Sequence, residues 1–478
     1  MINQPVIIIL IPLFFAFLIP LISVFSKKII KIIPVIAAFI NLAAIIKILS
    51  SSSRILKYFS ISGYKIPFGI NLIFNYQIGM FLFAINLVAL IAFLYFYKNE
   101  FNIGNKIAYP IAFTLGLTAA NGMILTGDLF NLFVFMELAA ISGYIISSHR
   151  KGYYSTITYI VITSIGSLLF LLGTASVYNV SGSLSLNTIS TGLQGVSGQF
   201  IIIISVLFII SLSGEAELIP LNSWVPKVYN KTGDTGRIFF GSIFSSAALF
   251  AVIKVLILLF QGSYSYIYEV ITVIGLITLF IGEVVAFRQE NIKKMIAYSS
   301  VAQAGLIIGA VSMAIKNGII NKMVFNAAIF QLFNNIFAKG LILLGVGALG
   351  AYHLNNLKNN NKKLLASILT GIGVLSLIGM PPFAGFWSKF YLIKALVLNK
   401  FTFFIIIFLF SALFEVYYYM KFLQKLFFSE GNKTKTKKDI SFLTYGMMVY
   451  LSAIILLIGI FPNSIYKAIS DIFMGGIL

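Results

Sequence analysis

The sequence predicts an all-α membrane protein of about fourteen transmembrane helices, and three observations carry that prediction. Hydrophobic residues fill 59% of the 478 positions and charged residues only 10%, a balance foreign to soluble domains; the mean hydropathy is +1.00. Apolar runs long enough to cross a hydrocarbon core of roughly 30 Å recur along the whole chain. Lysine and arginine are unevenly shared between alternate loops, as the positive-inside rule requires of a multi-pass protein.

The apolar runs place spans near 6–26, 29–49, 78–97, 107–126, 129–148, 155–179, 200–219, 237–260, 266–287, 296–315, 321–349, 364–386, 401–428 and 440–462. The first run is long enough to span and follows an uncharged start, so no cleavable signal is expected. Loops after odd-numbered spans hold 22 of the 34 Lys/Arg, among them residues 27–28, 150–151, 293–294, 362–363 and 433–438. The other side holds nine, and Lys254, Lys339 and Lys389 lie inside the membrane. The rule then puts both termini outside and the odd loops in the cytoplasm. The net charge of +21 is read as topology setting and contact with anionic lipid, with no nucleic-acid role.

Two outer segments are long. Residues 50–75 alternate apolar and polar side chains in their middle, and residues 179–199 are uncharged, Ser/Gly-rich and expected to be a plain loop. The stretch 430–439 (EGNKTKTKKD) reads as a solvated basic loop without chemistry. The only two tryptophans lie in similar breaks, ELIPLNSWVPK at 217–227 and GMPPFAGFWSK at 379–389. Proline in mid-span removes a backbone donor and clashes with the preceding turn, so spans seven and twelve should be interrupted. Interruptions about 160 residues apart imply two five-span units, spans 4–8 and 9–13, and freed backbone groups must line a polar cavity. The chain divides accordingly into 1–106, 107–260, 261–428 and 429–478.

Eight charged side chains sit inside spans: Glu137, Glu215, Glu217, Lys254, Glu283, Lys339, Lys389 and Glu415. At roughly 2.5–3.5 kcal/mol each they would cost about 20–28 kcal/mol unless paired, hydrated or neutralised, which marks them as an ion relay. Glu137 stands nine residues after Asp128, about 13.5 Å along a helix, and so near mid-membrane. Glu215 and Glu217 precede the first break; two residues apart on a regular helix they cannot face one partner. Glu215 is therefore expected on the pathway and Glu217 toward the unwound segment. Lys227 reads as an interfacial cation. Asn334 and Asn335 lie a turn from Lys339, where they can hold a water chain. Lys389 follows the second break, and Lys254 stands six residues from its helix end, where snorkelling competes with function. Glu283 and Glu415 have no local motif, and either can pair with a lysine of a neighbouring span.

Other chemistries are excluded. Zero cysteines rule out disulfides, thiolate metal sites and iron–sulfur ligation, and the two histidines, His149 and His353, fall in loops. No cofactor is expected, and any electrons must be carried by another polypeptide. The GDTG at 233–236 belongs to no P-loop or dinucleotide fingerprint.

The ordered motifs TGDLFNLFVFMELAAISGY, PLNSWVPKVY, ENIKKMIAYSSVAQAG, FNNIFAKG and GMPPFAGFWSKF resemble the antiporter-like membrane subunits. These include the proton-channel subunits of respiratory complex I, the D- and A-type subunits of Mrp antiporters, and their relatives in group 4 membrane-bound hydrogenases. The resemblance covers about residues 75–430, and the GDLFNLFVF run is most similar to the Mrp D-type or hydrogenase-associated subunit. It implies a fourteen-helix fold with two inverted five-helix repeats and a central polar axis of one glutamate and several lysines that moves protons. Glu137 matches the family's span-five glutamate, Lys339 its central lysine and Lys389 its span-twelve lysine. The chain departs from the pattern at Glu215 and Asn335, where the family usually has lysine and histidine, and at Asn222, where PLH is common. It departs again around Ser246, where the family has lysine or histidine.

The resemblance implies an ion-translocating subunit of a multisubunit redox-driven complex in a prokaryotic cell membrane, moving H⁺ and/or Na⁺ beside other membrane subunits. The alternatives are a D-type subunit of an Mrp-like Na⁺/H⁺ antiporter and a structural anchor that has lost pumping. Because Glu215 replaces lysine, Glu137, Glu215 and Glu217 are expected to form an acidic site able to hold Na⁺ or a proton.

Overall fold

A computed structural model describes residues 4–472 apart from 27–28, 62–68, 102–105, 149–151, 260–264, 317–318, 351, 357–362 and 429–438. Of the expected features, His149, the basic residues at 27–28, 150–151 and 362, and all of the 430–439 loop except Asp439 lie outside the described residues.

The chain opens with α1 (Ile7–Phe25), α2 (Ile33–Ser50), α3 (Tyr76–Tyr95), α4 (Ala108–Leu125), α5 (Leu129–Ser147) and α6 (Tyr153–Ser181). A short α7 (Leu186–Gly192) precedes α8 (Gly198–Glu215), and α9 (Val225–Lys231) leads into α10 (Asp234–Ile238) and α11 (Ser245–Leu259). There follow α12 (Ser265–Phe287), α13 (Ile292–Met313), α14 (Lys322–Leu349), α15 (Leu364–Ile378), α16 (Ala384–Leu398), α17 (Thr402–Phe428), α18 (Phe442–Ile460) and α19 (Pro462–Ile469). Thirteen helices among the described residues are long and apolar enough to cross a membrane. Span twelve is split into α15 and α16 around its two prolines, and α15 is a shorter apolar helix. The chain is an all-α multi-pass membrane protein.

Local chemistry sets many of the ends. The side chains of Asn75, Asp128, Asn291, Asn321 and Ser441 accept backbone N–H groups at the starts of α3, α5, α13, α14 and α18, satisfying donors that a helix start leaves open. Gly350 and Gly379 end α14 and α15 in the left-handed region, which a residue without Cβ enters freely.

The segment 50–75 contains a hairpin, β1 (Lys57–Ser60) antiparallel to β2 (Asn71–Phe74), in keeping with its alternation. The segment 179–199 differs from the expected plain loop: it contains α7. Its residues 184–186 bond to the α4–α5 turn, with Leu186 N–H to Gly127 O and Leu129 N–H to Leu184 O, both 2.9 Å. Seven helical residues between serines and glycines carry too short a pattern to read. Two more short strands, β3 (Ile315–Lys316) and β4 (Ile319–Ile320), join α13 to α14.

Helices α10–α11, α13 and α14 are buried almost all round, whereas α1, α6 and α17 turn an apolar face outward. Away from their ends, the polar and charged residues of the central helices therefore face mostly protein. Glycines let α12 press against α13: a Cβ at Gly275 would meet Gly309 backbone at 2.6 Å, and one at Gly282 would meet Ala302 N at 2.8 Å. Such small-residue contacts bring backbones together where no hydrophobic force separates helix from lipid. At the other end of the bundle Asn41, Asn86 and Asn121 form a buried ladder at 2.8 and 2.7 Å across α2, α3 and α4.

Candidate ion-translocation axis

Both breaks are formed by proline, and each tryptophan closes one by donating to a backbone carbonyl. α8 ends at Glu215, Glu217 takes a left-handed φ of 63°, and Trp224 Nε1 donates to Gly214 O at 2.9 Å. α15 ends at Ile378, and Trp387 Nε1 donates to Gly459 O of α18 at 2.7 Å. The Ile219–Pro220 and Pro381–Pro382 bonds are cis.

From the first break a string of polar groups runs through the centre. Glu217 is buried, and the Tyr229 hydroxyl lies 3.3 Å from its Oε1 and 3.3 Å from Ser300 Oγ. Lys339, fully buried, donates to the same Ser300 Oγ at 2.7 Å. Its ammonium is within electrostatic range of Glu217, Glu283 and Glu415. Beyond it Lys389 forms an ion pair with Glu415 Oε2 and donates to Ile378 O, a carbonyl freed by the second break, at 3.2 Å. The other oxygen of Glu415 accepts from Gln303 Nε2 at 2.9 Å, Gln303 Oε1 from Gln331 Nε2 at 2.7 Å, and Gln331 Oε1 from Ser388 Oγ at 2.5 Å. Ser388 adjoins Lys389, so the hydrogen bonds close a ring around the ion pair. Every polar group in such a ring is satisfied, which fixes its geometry in a low-dielectric interior.

Span eight contributes no cation here. Residues Phe239–Phe244, between α10 and α11, form a wider π-type turn, a local irregularity frequent at functional sites. Ser245, just after it, lies beside Glu217. The buried serine hydroxyls of 242, 245 and 246 line the region where the resemblance led one to look for lysine or histidine.

Glu137 and Glu215 are half-buried and lie within electrostatic range of each other, beside Tyr144 and Tyr159. Glu217 is also within electrostatic range of Tyr159, but its own partners are Tyr229 and Lys339. The expected triplet of Glu137, Glu215 and Glu217 is thus not assembled, and no group of three such ligands able to hold a metal ion occurs among the described residues. The reason is local: the chain leaves the helix after Glu215, so regular 100° steps no longer relate residues 215 and 217. Glu217 thus stands in line with Lys339, and Glu215 beside Glu137.

Lys254 neither snorkels nor faces a carboxylate. It is fully buried, and its Nζ donates to the carbonyls of Met123, Ile124 and Thr126 at 2.7, 3.3 and 2.5 Å. An ammonium has three donors, and all three cap the C-terminal end of α4, where a cation also complements the helix dipole. Glu415 pairs with Lys389, while Glu283 is buried near Glu415 and Tyr418. Lys227 lies over the Tyr154 ring. Asn334 Oδ1 accepts from Ser376 Oγ at 2.9 Å, and the Asn335 amide has no hydrogen-bond partner among the described residues.

Sequence reasoning passed over Tyr229, Ser300, Gln303, Gln331 and Ser388. The two glutamines were detectable by the rule that flagged the charges, since an amide in mid-span also needs a partner. The tyrosine and serines carried no such signal.

The family model described as NADH:quinone oxidoreductase/Mrp antiporter, TM, matches residues 126–415. NADH-quinone oxidoreductase subunit N of Pelagibacter ubique (strain HTCC1062) is 27% identical over 376 residues, covering 77% of this chain and 78% of that protein. The D-type subunit of the Na(+)/H(+) antiporter of Alkalihalophilus pseudofirmus is 27% identical over 351 residues, covering 71% and 70%. A chain of the membrane-bound sulfane sulfur reductase, an archaeal respiratory membrane complex, superposes with a TM-score of 0.89 at 28% identity, over 98% of this chain and 96% of that one. A chain of the Mrp complex from Dietzia sp. DQ12-45-1b gives the same TM-score, 0.89, at 19% identity over 98% and 96%, and bears on the fold alone. The matched segment takes in most of the polar axis and more than half of the sequence, and the chain belongs to the NADH:quinone oxidoreductase/Mrp antiporter transmembrane family.

Proposed function

We propose that this chain is an ion-translocating membrane subunit of a multisubunit complex and that H⁺ and/or Na⁺ moves along the axis from Glu217 to Lys389. The observation that carries the reading is the hydrogen-bonded succession Glu217, Tyr229, Ser300 and Lys339, with Glu283 and the Glu415–Lys389 ion pair within electrostatic range of it, buried among the central helices. Groups that accept and release protons at such spacing, joined by hydroxyls, are what a relay requires. Residues 107–260 and 261–428 are read as two five-helix units that each hold half of the axis. Termini outside and odd loops in the cytoplasm of a prokaryotic cell membrane follow from the lysine and arginine distribution.

The outer face of α5 supports a partner subunit. Phe130, Val134 and Ile141 are exposed along one stripe, and Glu137 stands half-buried in the same stripe at mid-span. A carboxylate there is costly against lipid, so we read this face as covered by another membrane subunit. A redox-driven complex and an Mrp-type antiporter both remain consistent with relatives named as quinone-oxidoreductase and antiporter subunits. Purification with identification of the co-purifying subunits separates the two. Glu137→Gln should preserve assembly and abolish translocation by the reconstituted complex. Pumping at the wild-type rate by the assembled mutant would make Glu137 structural and favour a mere anchor.

The Glu137–Glu215 pair is proposed to share one proton or one Na⁺, since two neighbouring carboxylates resist ionising together. Transport at fixed pH should then depend on Na⁺ or show a shared-proton profile, and Glu215→Lys should remove that dependence. Indifference of both wild type and mutant to Na⁺ restricts the pair to protons.

A further inference from the structure

From Glu217 to Lys389 the axis is short of one positive charge among the described residues. Glu217, Glu283 and Glu415 are 1%, 1% and 2% exposed, and the cations among them are Lys339 and Lys389. Glu415 has its own lysine in Lys389 and a further donor in Gln303. Glu217 has Tyr229, and Lys339 interacts with it more strongly than with the other two carboxylates. Glu283 remains. Its Oε2 has no hydrogen-bond partner among the described residues, and the carboxylate of Glu415 lies within electrostatic range of it. The phenol of Tyr418 lies beside it, and both Lys389 and Lys339 are within electrostatic range. The glycine contacts of Gly275 and Gly282 hold this helix against α13, which keeps Glu283 facing the axis instead of lipid.

Resting on the translocation reading above, we propose that Glu283 is a proton carrier that bridges Lys339 and Lys389. A buried carboxylate without a cation of its own neutralises by taking a proton more readily than it bears its charge. Once Lys389 has released its own proton toward the far side, the O–H bond of Glu283 breaks and an N–H bond forms on Lys389. An N–H bond of the Lys339 ammonium then breaks and the O–H bond of Glu283 re-forms, leaving a neutral amine at Lys339 for the next proton. Each step moves one proton, and no electron pair leaves the axis. The ring of Gln303, Gln331 and Ser388 holds the Lys389–Glu415 pair in place while the proton is exchanged.

The test uses the intact complex in proteoliposomes. Glu283→Gln keeps the shape of the neutral acid and cannot release a proton. It should assemble with its partner subunits and lose about a hundredfold in ion translocation, while Glu283→Asp should retain a measurable part. A wild-type complex that moves no ion defeats the translocation reading itself. A wild-type complex that moves ions, with Glu283→Gln equal to it, defeats only this proposal. Should the glutamine variant fail to assemble, a lipid-soluble carbodiimide, which reacts with protonated buried carboxyls, decides the matter on the wild-type complex by peptide mapping. Modification at Glu283 supports the proposal. Modification at Glu415 or Glu217 with Glu283 untouched, or at none of the three, overturns it.

Discussion

Lys389→Met is expected to destabilise the protein by about 3–5 kcal/mol, the usual consequence of leaving one partner of a buried ion pair without its counter-charge. Glu415 is 2% exposed, so water cannot replace the lost ammonium, and Gln303 supplies only a single neutral donor. The methionine fills most of the volume of the lysine stem, which separates the charge effect from a cavity effect. Adding Glu415→Gln to Lys389→Met should recover most of the loss, because the pair is then removed as a unit. Thermal melting of the detergent-solubilised complex measures both. A single mutant as stable as the wild type, or a double mutant no better than the single, would contradict the ion pair.

Lys339→Met should reduce ion translocation by about a hundredfold or more, since it removes the group that stands between the two halves of the axis. The more telling substitution is Lys339→Arg. Arginine preserves the positive charge beside Glu217 but does not give up its proton under any physiological condition. If Lys339 serves only to balance Glu217, the arginine variant will transport normally. If it passes a proton to its neighbours, the arginine variant will be nearly as inactive as the methionine one. Uptake driven by the native reaction of the reconstituted complex distinguishes these outcomes. We expect both variants to fail.

The spans were legible because most are continuous apolar runs with no competing pattern, and Pro220 and Pro381–Pro382 marked where two of them break. The charged residues were legible as expensive, but their pairing was not. Glu415 lies 26 positions from Lys389, and nothing in either span's sequence specifies which neighbouring helix it meets. The depth of Lys254 was judged from the end of its own helix, whereas the end that matters belongs to α4, whose carbonyls sit at the same level. The separate surroundings of Glu215 and Glu217 were not legible because the chain leaves the helix between them. α7 escaped notice because seven residues carry no readable period.

The left-handed backbone at Glu217 has an implication for how this chain can change over time. A residue with a side chain in that conformation is strained by about 1–3 kcal/mol, and glycine would relieve it. The carboxylate that faces Lys339 therefore stands against a thermodynamic preference for a smaller residue at this position. Lineages in which the axis fell idle would drift toward glycine at 217 without any loss of fold. The identity of this one position in a related sequence thus serves as a record of whether the first half of the axis is still at work.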